Sequence, residues 1–244
     1  YTQLWLHQEA DSHVTLLEHF YGVGENERAI NCLQNHVSYI KLEKGAHLSH
    51  YRLQDTPLGV THLYTGRLKQ ADHSEYRSFT LTIGASLSRQ EIRAELNGKH
   101  INCDQKSVTF GKNNQHHDAY LPVTHHQPES YSKQNFRQLL DDQSKGVFYG
   151  SVYVPKASIK TEAHQLNHNI LLSPKAQAFT RPELDIFTDD VICTHGATVG
   201  DLDEQALYYL QTRGLDKDQS KRLLIKAFAE EMIEEINDFA IRKL

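Results

Sequence analysis

From residue 1 to about 199 the chain is written in short runs that alternate apolar and polar residues. HVTLLEHFYG, VSYIKLEKG, SFTLTIG, EIRAEL, SVTFG, GVFYGSVYV, HNILLS and ELDIF are examples, each broken by Gly, Pro, Asn or Asp. A period of two puts successive side chains on opposite faces of a strand, so this region reads as many half-buried strands. No amphipathic helix interrupts them. Four strands are followed by a short turn and an alanine, in YIKLEKGA, TLTIGA, VYVPKA and ILLSPKA, which places Ala46, Ala85, Ala157 and Ala176 at separations of 39, 72 and 19 residues. These approximate two, four and one times an interval of about 19, and a common interval is what stacked coils produce. A parallel β-helix over residues 1–199 is therefore favoured over a β-sandwich with coincident turns.

Composition bounds the function classes. At 244 residues the chain can bury a real core. Its hydrophobic fraction of 39% and mean hydropathy of −0.59 suit a fold that exposes much strand surface. A net charge of −5 gives no reason to expect nucleic acid as a partner. No apolar run is long enough to span a bilayer and no signal peptide is visible, so no membrane partner is expected. Cys32, Cys103 and Cys193 form no CxxC pair, which points to a reducing compartment without a disulfide framework. No GxxxxGK[ST] phosphate loop occurs. The chain begins with Tyr1 and its only methionine is Met232, so it reads as a fragment or processed form with an N-terminal portion absent.

The chemistry concentrates in DDVICTHGATVG, Asp189 to Gly200. If DDVICTH is a strand, Asp189, Val191, Cys193 and His195 share one face, and Cys193 lies roughly 6–7 Å from His195 along it. A thiol and an imidazole so placed can act as nucleophile and base, but no orienting third group or oxyanion hole is identifiable. Asp189 and Asp190 could serve acid–base hydrolysis, as on β-helical polysaccharide enzymes, yet a regular strand turns them to opposite faces. Cys193 and His195 could ligate a soft or borderline metal, but two ligands do not close a site. The plain structural reading is a small buried cysteine and a hydrogen-bonded turn histidine. HQLNHN (164–169) reads as a polar ladder outside the solenoid, and the paired histidines of QHHDAY and VTHHQPES as solvated or ladder residues.

From about residue 201 the period becomes helical. Asp201 is placed to cap a helix through LDEQALYYLQTR, with Gly214 in a left-handed C-terminal position. A second helix from Asp216 or Asp218 carries Leu224, Phe228, Met232, Ile236 and Phe239 on one stripe, widened by Ile225, Ala229 and Ile233. Glu230, Glu231, Glu234 and Asp238 lie mostly opposite. Pattern alone favours a helical cap over the end of the β structure. A stripe this wide can also serve a second surface.

The segment from GVFYGSVYVPKASIKTEAHQLNHNILLSPKAQAFTRPELDIFTDD through VICTHGATVGDLDEQALYYLQTRGL resembles the core of the SufB/SufD family, the non-ATPase subunits of the SufBCD iron–sulfur cluster assembly scaffold. VTHHQPESYSKQNFRQLLDDQSKGVFYG also fits, and the likeness is densest from about 121 to 215. The chain resembles the SufD branch, because Gly196 stands where SufB-type chains typically carry an acidic residue; Thr194 replaces the usual SufD serine.

The resemblance implies a right-handed parallel β-helix (1–199), a C-terminal helical subdomain (200–244) and a scaffold role rather than an enzymatic one. It implies pairing with SufB through the last strand edges and docking of the SufC ATPase on the helices, through Leu224, Phe228, Met232 and Ile236. Without SufB the same edge could make a homodimer. It further implies that Cys193 and His195 face transient iron or a nascent cluster at the SufB–SufD boundary, with His195 the stronger candidate, and that the chain works in the cytoplasm, or in a plastid if eukaryotic. Flavin has no local signature here. The competing expectation is a β-helical carbohydrate-active enzyme using paired carboxylates.

Overall fold

A computed structural model describes residues 1–22, 31–234, 236 and 239–242. Asp238 and the side chain of Phe239, which the sequence pattern assigns to the second helix, lie outside the described residues. Strands alternate between two parallel sheets. The first holds β1 (Thr2–Gln8), β3 (Cys32–Leu42), β5 (Val60–Gln70), β7 (Leu87–Leu96), β9 (His116–His125), β11 (Lys145–Val154) and β13 (Gln177–Ile186) in that order. The second holds β2 (His13–Tyr21), β4 (His47–Asp55), β6 (Glu75–Thr82), β8 (Asn102–Gly111), β10 (Tyr131–Leu140), β12 (Thr161–Leu171) and β14 (Val191–Gly200). Each strand pairs with the strand two places later in sequence, so the chain winds a parallel β-solenoid, as the alternation predicts.

The coil length differs from the interval of about 19. Register steps run from Thr61 to Leu87 at the shortest and from Thr2 to His36 at the longest, so one coil takes 26 to 34 residues. The repeating corner residue is small rather than alanine. Ala46, Ser74, Ser144, Ser158 and Ala176 each donate a backbone N–H to the carbonyl three residues back, and all five are buried. Ala157 is the exposed neighbour of the true corner, Ser158. One corner is completed by residues at positive φ, namely Gly45, His73, His100, Glu129 and Lys160, in successive coils. Backbone bonds stack them: Gly45 N donates to Asp72, His73 N to Lys99, His100 N to Glu129, Glu129 N to Ile159 and Lys160 N to Asp190.

The interior explains the low hydrophobicity. Leu42, Leu48, Leu96, Ile101, Leu121 and Phe148 are fully buried, but so are Gln, Ser, Thr, Asn and His side chains that bond along the stack. Inward residues of β12 are Thr161, Ala163, Gln165, Asn167 and Asn169, all buried, so half of HQLNHN lies inside the solenoid and not outside it. Of the paired histidines, His117 and His125 are buried too.

Helix α1 (Glu204–Thr212) is capped by the Asp203 carboxylate rather than by Asp201, and Gly214 takes φ +96° after it. Helix α2 (Lys217–Ile233) starts in a capping box of Asp216 and Gln219. A short α3 (Phe239–Arg242) follows. Helix α2 does not cap the coil end. It lies on the outer face of the second sheet, where Ala229, Met232 and Ile236 join Tyr51, Phe79, Val108 and Leu139 in one cluster. Arg137 Nη1 fastens it, donating to Phe228 O at 2.6 Å and to Glu231 at 2.8 Å. No helix is long and apolar enough to cross a membrane among the described residues.

Candidate functional site

With the helices on its flank, the last coil is bare. Among the described residues β13 and β14 each have a partner on one side only, so both sheets end here in an unpaired edge. Large apolar side chains gather there: Phe179, Phe187, Ile192 and Val199 are all about half or more exposed. A parallel edge of this kind can accept another strand.

Asp189 and Asp190 stand in the turn before β14, not in a strand, and both are exposed. The Asp190 carbonyl accepts from Lys160 N and so extends the corner ladder. Their role here is that of turn residues.

Strand β14 begins at Val191, and from there the alternation holds. Val191 and Cys193 turn inward and pack on the end of the main hydrophobic cluster. Cys193 stacks on fully buried Ala163, and His195 stands over fully buried Gln165. Among the described residues no strand stacks above them, so Cys193 is half-buried and His195 exposed although both belong to the inner face. Burial pushes the Cys193 thiol up, partly offset by a backbone bond involving Ala163. On the outer face, Thr194 pairs with His164 at 2.7 Å and Thr198 with His168 at 3.0 Å, holding β14 to β12 from outside. Among the described residues no three His, Cys, Asp or Glu side chains are grouped to hold a metal ion. Cys193 and His195 are thus two potential donors on a one-sided strand edge, too few by themselves to close a metal site.

The four residues of the helical stripe divide. Met232 and Ile236 are sealed against the second sheet, while Leu224 and Phe228 are partly buried. Exposed apolar surface on the helices comes instead from Tyr208, Tyr209 and Leu223.

Two interior features escape a reading by motif. One is an amide stack, Gln105, Gln134 and Gln165, with Gln165 Nε2 donating to Gln134 Oε1 at 2.9 Å and Gln134 Nε2 to Gln105 Oε1 at 3.1 Å. A glutamine recurring after 29 and then 31 residues was the available signal, and it needs the true coil length to be seen. The other lies near the opposite end. Glu18 sits 2.9 Å from His36 Nε2 and 2.7 Å from His50 Nε2, and accepts from Tyr64 at 3.2 Å. Burial alone would raise its carboxyl, but His36 and His50 hold it well below the usual carboxylate range.

The fold and this end together define a class: a parallel β-solenoid whose terminal coil presents two open strand edges and an inward thiol–imidazole pair. The SUF system FeS cluster assembly, SufBD core domain family matches residues 1–228, and the chain belongs to that family. It is 32% identical to an iron–sulfur cluster assembly SufBD family protein of Synechocystis, over 93% of this chain and 51% of that one. It is 28% identical to the iron–sulfur cluster assembly protein SufD of Escherichia coli, over 94% and 53%. With the chloroplastic protein ABCI7 of Arabidopsis thaliana it shares 30% identity over 96% and 49%. The chain spans about half the length of these curated relatives.

Proposed function

We propose that this chain is a SufD-type scaffold subunit of an iron–sulfur cluster assembly complex, without enzymatic activity of its own. The observation that carries the reading is the bare last coil: edges of β13 and β14 open side by side, with Cys193 and His195 turned into the mouth between them. A SufB-type solenoid adding its own edge strands would supply the remaining ligands, and iron or a nascent cluster is the cargo held across the boundary. In the absence of that partner a second copy of this chain can pair with the same edge. Of the two residues, His195 is the principal ligand. A neutral imidazole is a ready donor to iron at neutral pH, whereas a thiol raised by burial must first lose its proton.

The helical region, beside the coil end rather than on it, is free to take the SufC-type ATPase without obstructing the edges. Tyr208, Tyr209 and Leu223 offer the exposed apolar surface, and Leu224 and Phe228 lie at its margin. Met232 and Ile236 act indirectly, by fixing α2 to the second sheet. Such a complex works in a bacterial cytoplasm or a plastid, a reading supported by the relatives from Escherichia coli and from a chloroplast.

The test is co-purification of the full-length protein with SufB and SufC of the same source, wild type beside His195→Ala. Iron and sulfide are quantified after anaerobic reconstitution. The expected result is an intact complex with reduced iron and sulfide in the variant. Equal loading of both would refute the ligand role and leave a purely structural subunit.

A further inference from the structure

Beneath His195 the interior is not apolar. Gln165 is fully buried, and its Oε1 has no hydrogen-bond partner. An unpaired buried acceptor is costly enough that its surroundings call for a donor. The direction of the amide stack is set by chemistry rather than by the placement of O and N in each amide. Gln134 Nε2 lies 2.9 Å from the Leu121 carbonyl, which can only accept, so that atom of Gln134 must be its nitrogen. Gln134 then presents Oε1 to Gln165, and Gln165 must answer with Nε2. Its oxygen is left as the free acceptor end of the stack.

The next residue along the stack is His195, in register with Gln165 across the β12–β14 pair. The amide lies beside the opposite sheet at a glycine: a Cβ built on Gly150 would come within 2.9 Å of Gln165 Nε2 and 2.7 Å of Phe148 Cζ, so only a residue without one leaves the amide its room. We propose that Gln165 is a positioning residue for His195: its Oε1 accepts the hydrogen of the ring nitrogen that faces inward. Acceptance by a carbonyl oxygen demands an N–H there, which fixes one neutral tautomer and leaves the lone pair on the outward nitrogen. That nitrogen faces the open mouth, where a ligand to iron is required. The stack thus supplies the outer-shell hydrogen bond that orients a ligating imidazole. The inference deepens the proposed half-site and rests on that reading only for its purpose, not for its geometry.

The test uses the full-length protein with 15N-labelled histidine, the His195 signal being assigned by its loss in His195→Ala. Ring-nitrogen shifts report the tautomer before any iron is added. Wild type is expected to show one dominant tautomer. Gln165→Met, which keeps the volume and removes the acceptor, should shift the tautomer ratio by about fivefold, the equivalent of ~1 kcal/mol for one hydrogen bond. Gln165→Glu retains an acceptor oxygen and should keep the wild-type tautomer. If Gln165→Met does not fold, Gln165→Asn, which withdraws the amide by one methylene, is read in the same way. An identical tautomer distribution in wild type and in the acceptor-lacking variant overturns the proposal. If the tautomer shifts as expected while His195→Ala still loads iron normally, the positioning role stands and the ligand reading fails.

Discussion

Stability of this solenoid should fall steeply with acid, and His117 is the residue that exposes why. Burial holds His62, His117 and His125 down to about 4, from an ordinary 6.5. Neighbouring charges add to the burial: His36 and Arg52 beside His62, His116 beside His117, and His126 beside His125. The fold accepts all three as neutral rings. The unfolded chain takes up their protons near 6.5, so below that pH it binds more protons than the native state. Stability is full above about 6.5 and is lost progressively down to about 4, where the native rings protonate as well. Each histidine can contribute up to ~1.4 kcal/mol per pH unit, and ~3 kcal/mol over the whole window. Against a total stability on the order of 5–15 kcal/mol, three such groups bring cooperative unfolding near pH 5. His125 is satisfied by Ser130 and Ser132 at 2.7 and 2.9 Å, but both ring nitrogens of His117 are buried without a partner. His117→Leu should therefore be at least as stable as wild type at pH 7.5 and should flatten the pH dependence by up to one proton. Urea unfolding followed by circular dichroism from pH 7.5 to 5 measures both slopes. Identical slopes in the two proteins, or a wild type insensitive to pH in that range, would refute the reasoning.

Other perturbations separate the flank from the coil end. Met232→Ala removes a fully buried side chain from the α2–sheet cluster and should cost about 2–4 kcal/mol in denaturant melts, with proteolytic nicking confined to the helical region. His195→Ala alters an exposed side chain and should cost no more than ~1 kcal/mol, the hydrogen bond to Gln165 included, so reduced iron in its complex cannot be blamed on unfolding. Gly150→Ala forces a methyl against Phe148 and Gln165 and should cost ~1–3 kcal/mol, and its tautomer signature at His195 should move with that of the Gln165 variants.

The strands were legible because alternation survives in almost every coil, even where the inward residue is Gln or His. The coil length was not. A search for alanine found Ala46 and Ala176 but passed over Ser74, Ser144 and Ser158, which fill the same corner role. What the corner selects is small volume and a backbone bond, and an alphabet of exact residues hides that. Asp189 and Asp190 misled for a related reason: a run that ends in alternation need not begin in it, and the corner claims its last two residues before β14 starts. Buried polar residues were the other blind spot. His117, His125, Gln165 and Asn167 look solvated by type, yet all are buried: Gln165 and Asn167 each donate to a partner one coil away, His125 bonds Ser130 and Ser132, and His117 is buried as an unpaired ring.

That same stacking rule is the physical ground for proposing the terminal coil as the functional site. An inward polar side chain in the middle of the solenoid has neighbours above and below, and it is consumed by them, as Gln134 is between Gln105 and Gln165. In the last coil each inward group has a neighbour on one side only. Cys193 and His195 stand in register over Ala163 and Gln165, and among the described residues no strand lies on their other side. Helix α2 could have closed that end, as the sequence pattern suggests, but its apolar face is spent on Tyr51, Phe79, Val108 and Leu139 along the flank. Among the described residues the fold therefore leaves the face of its last coil open, an edge that a strand of another polypeptide can extend.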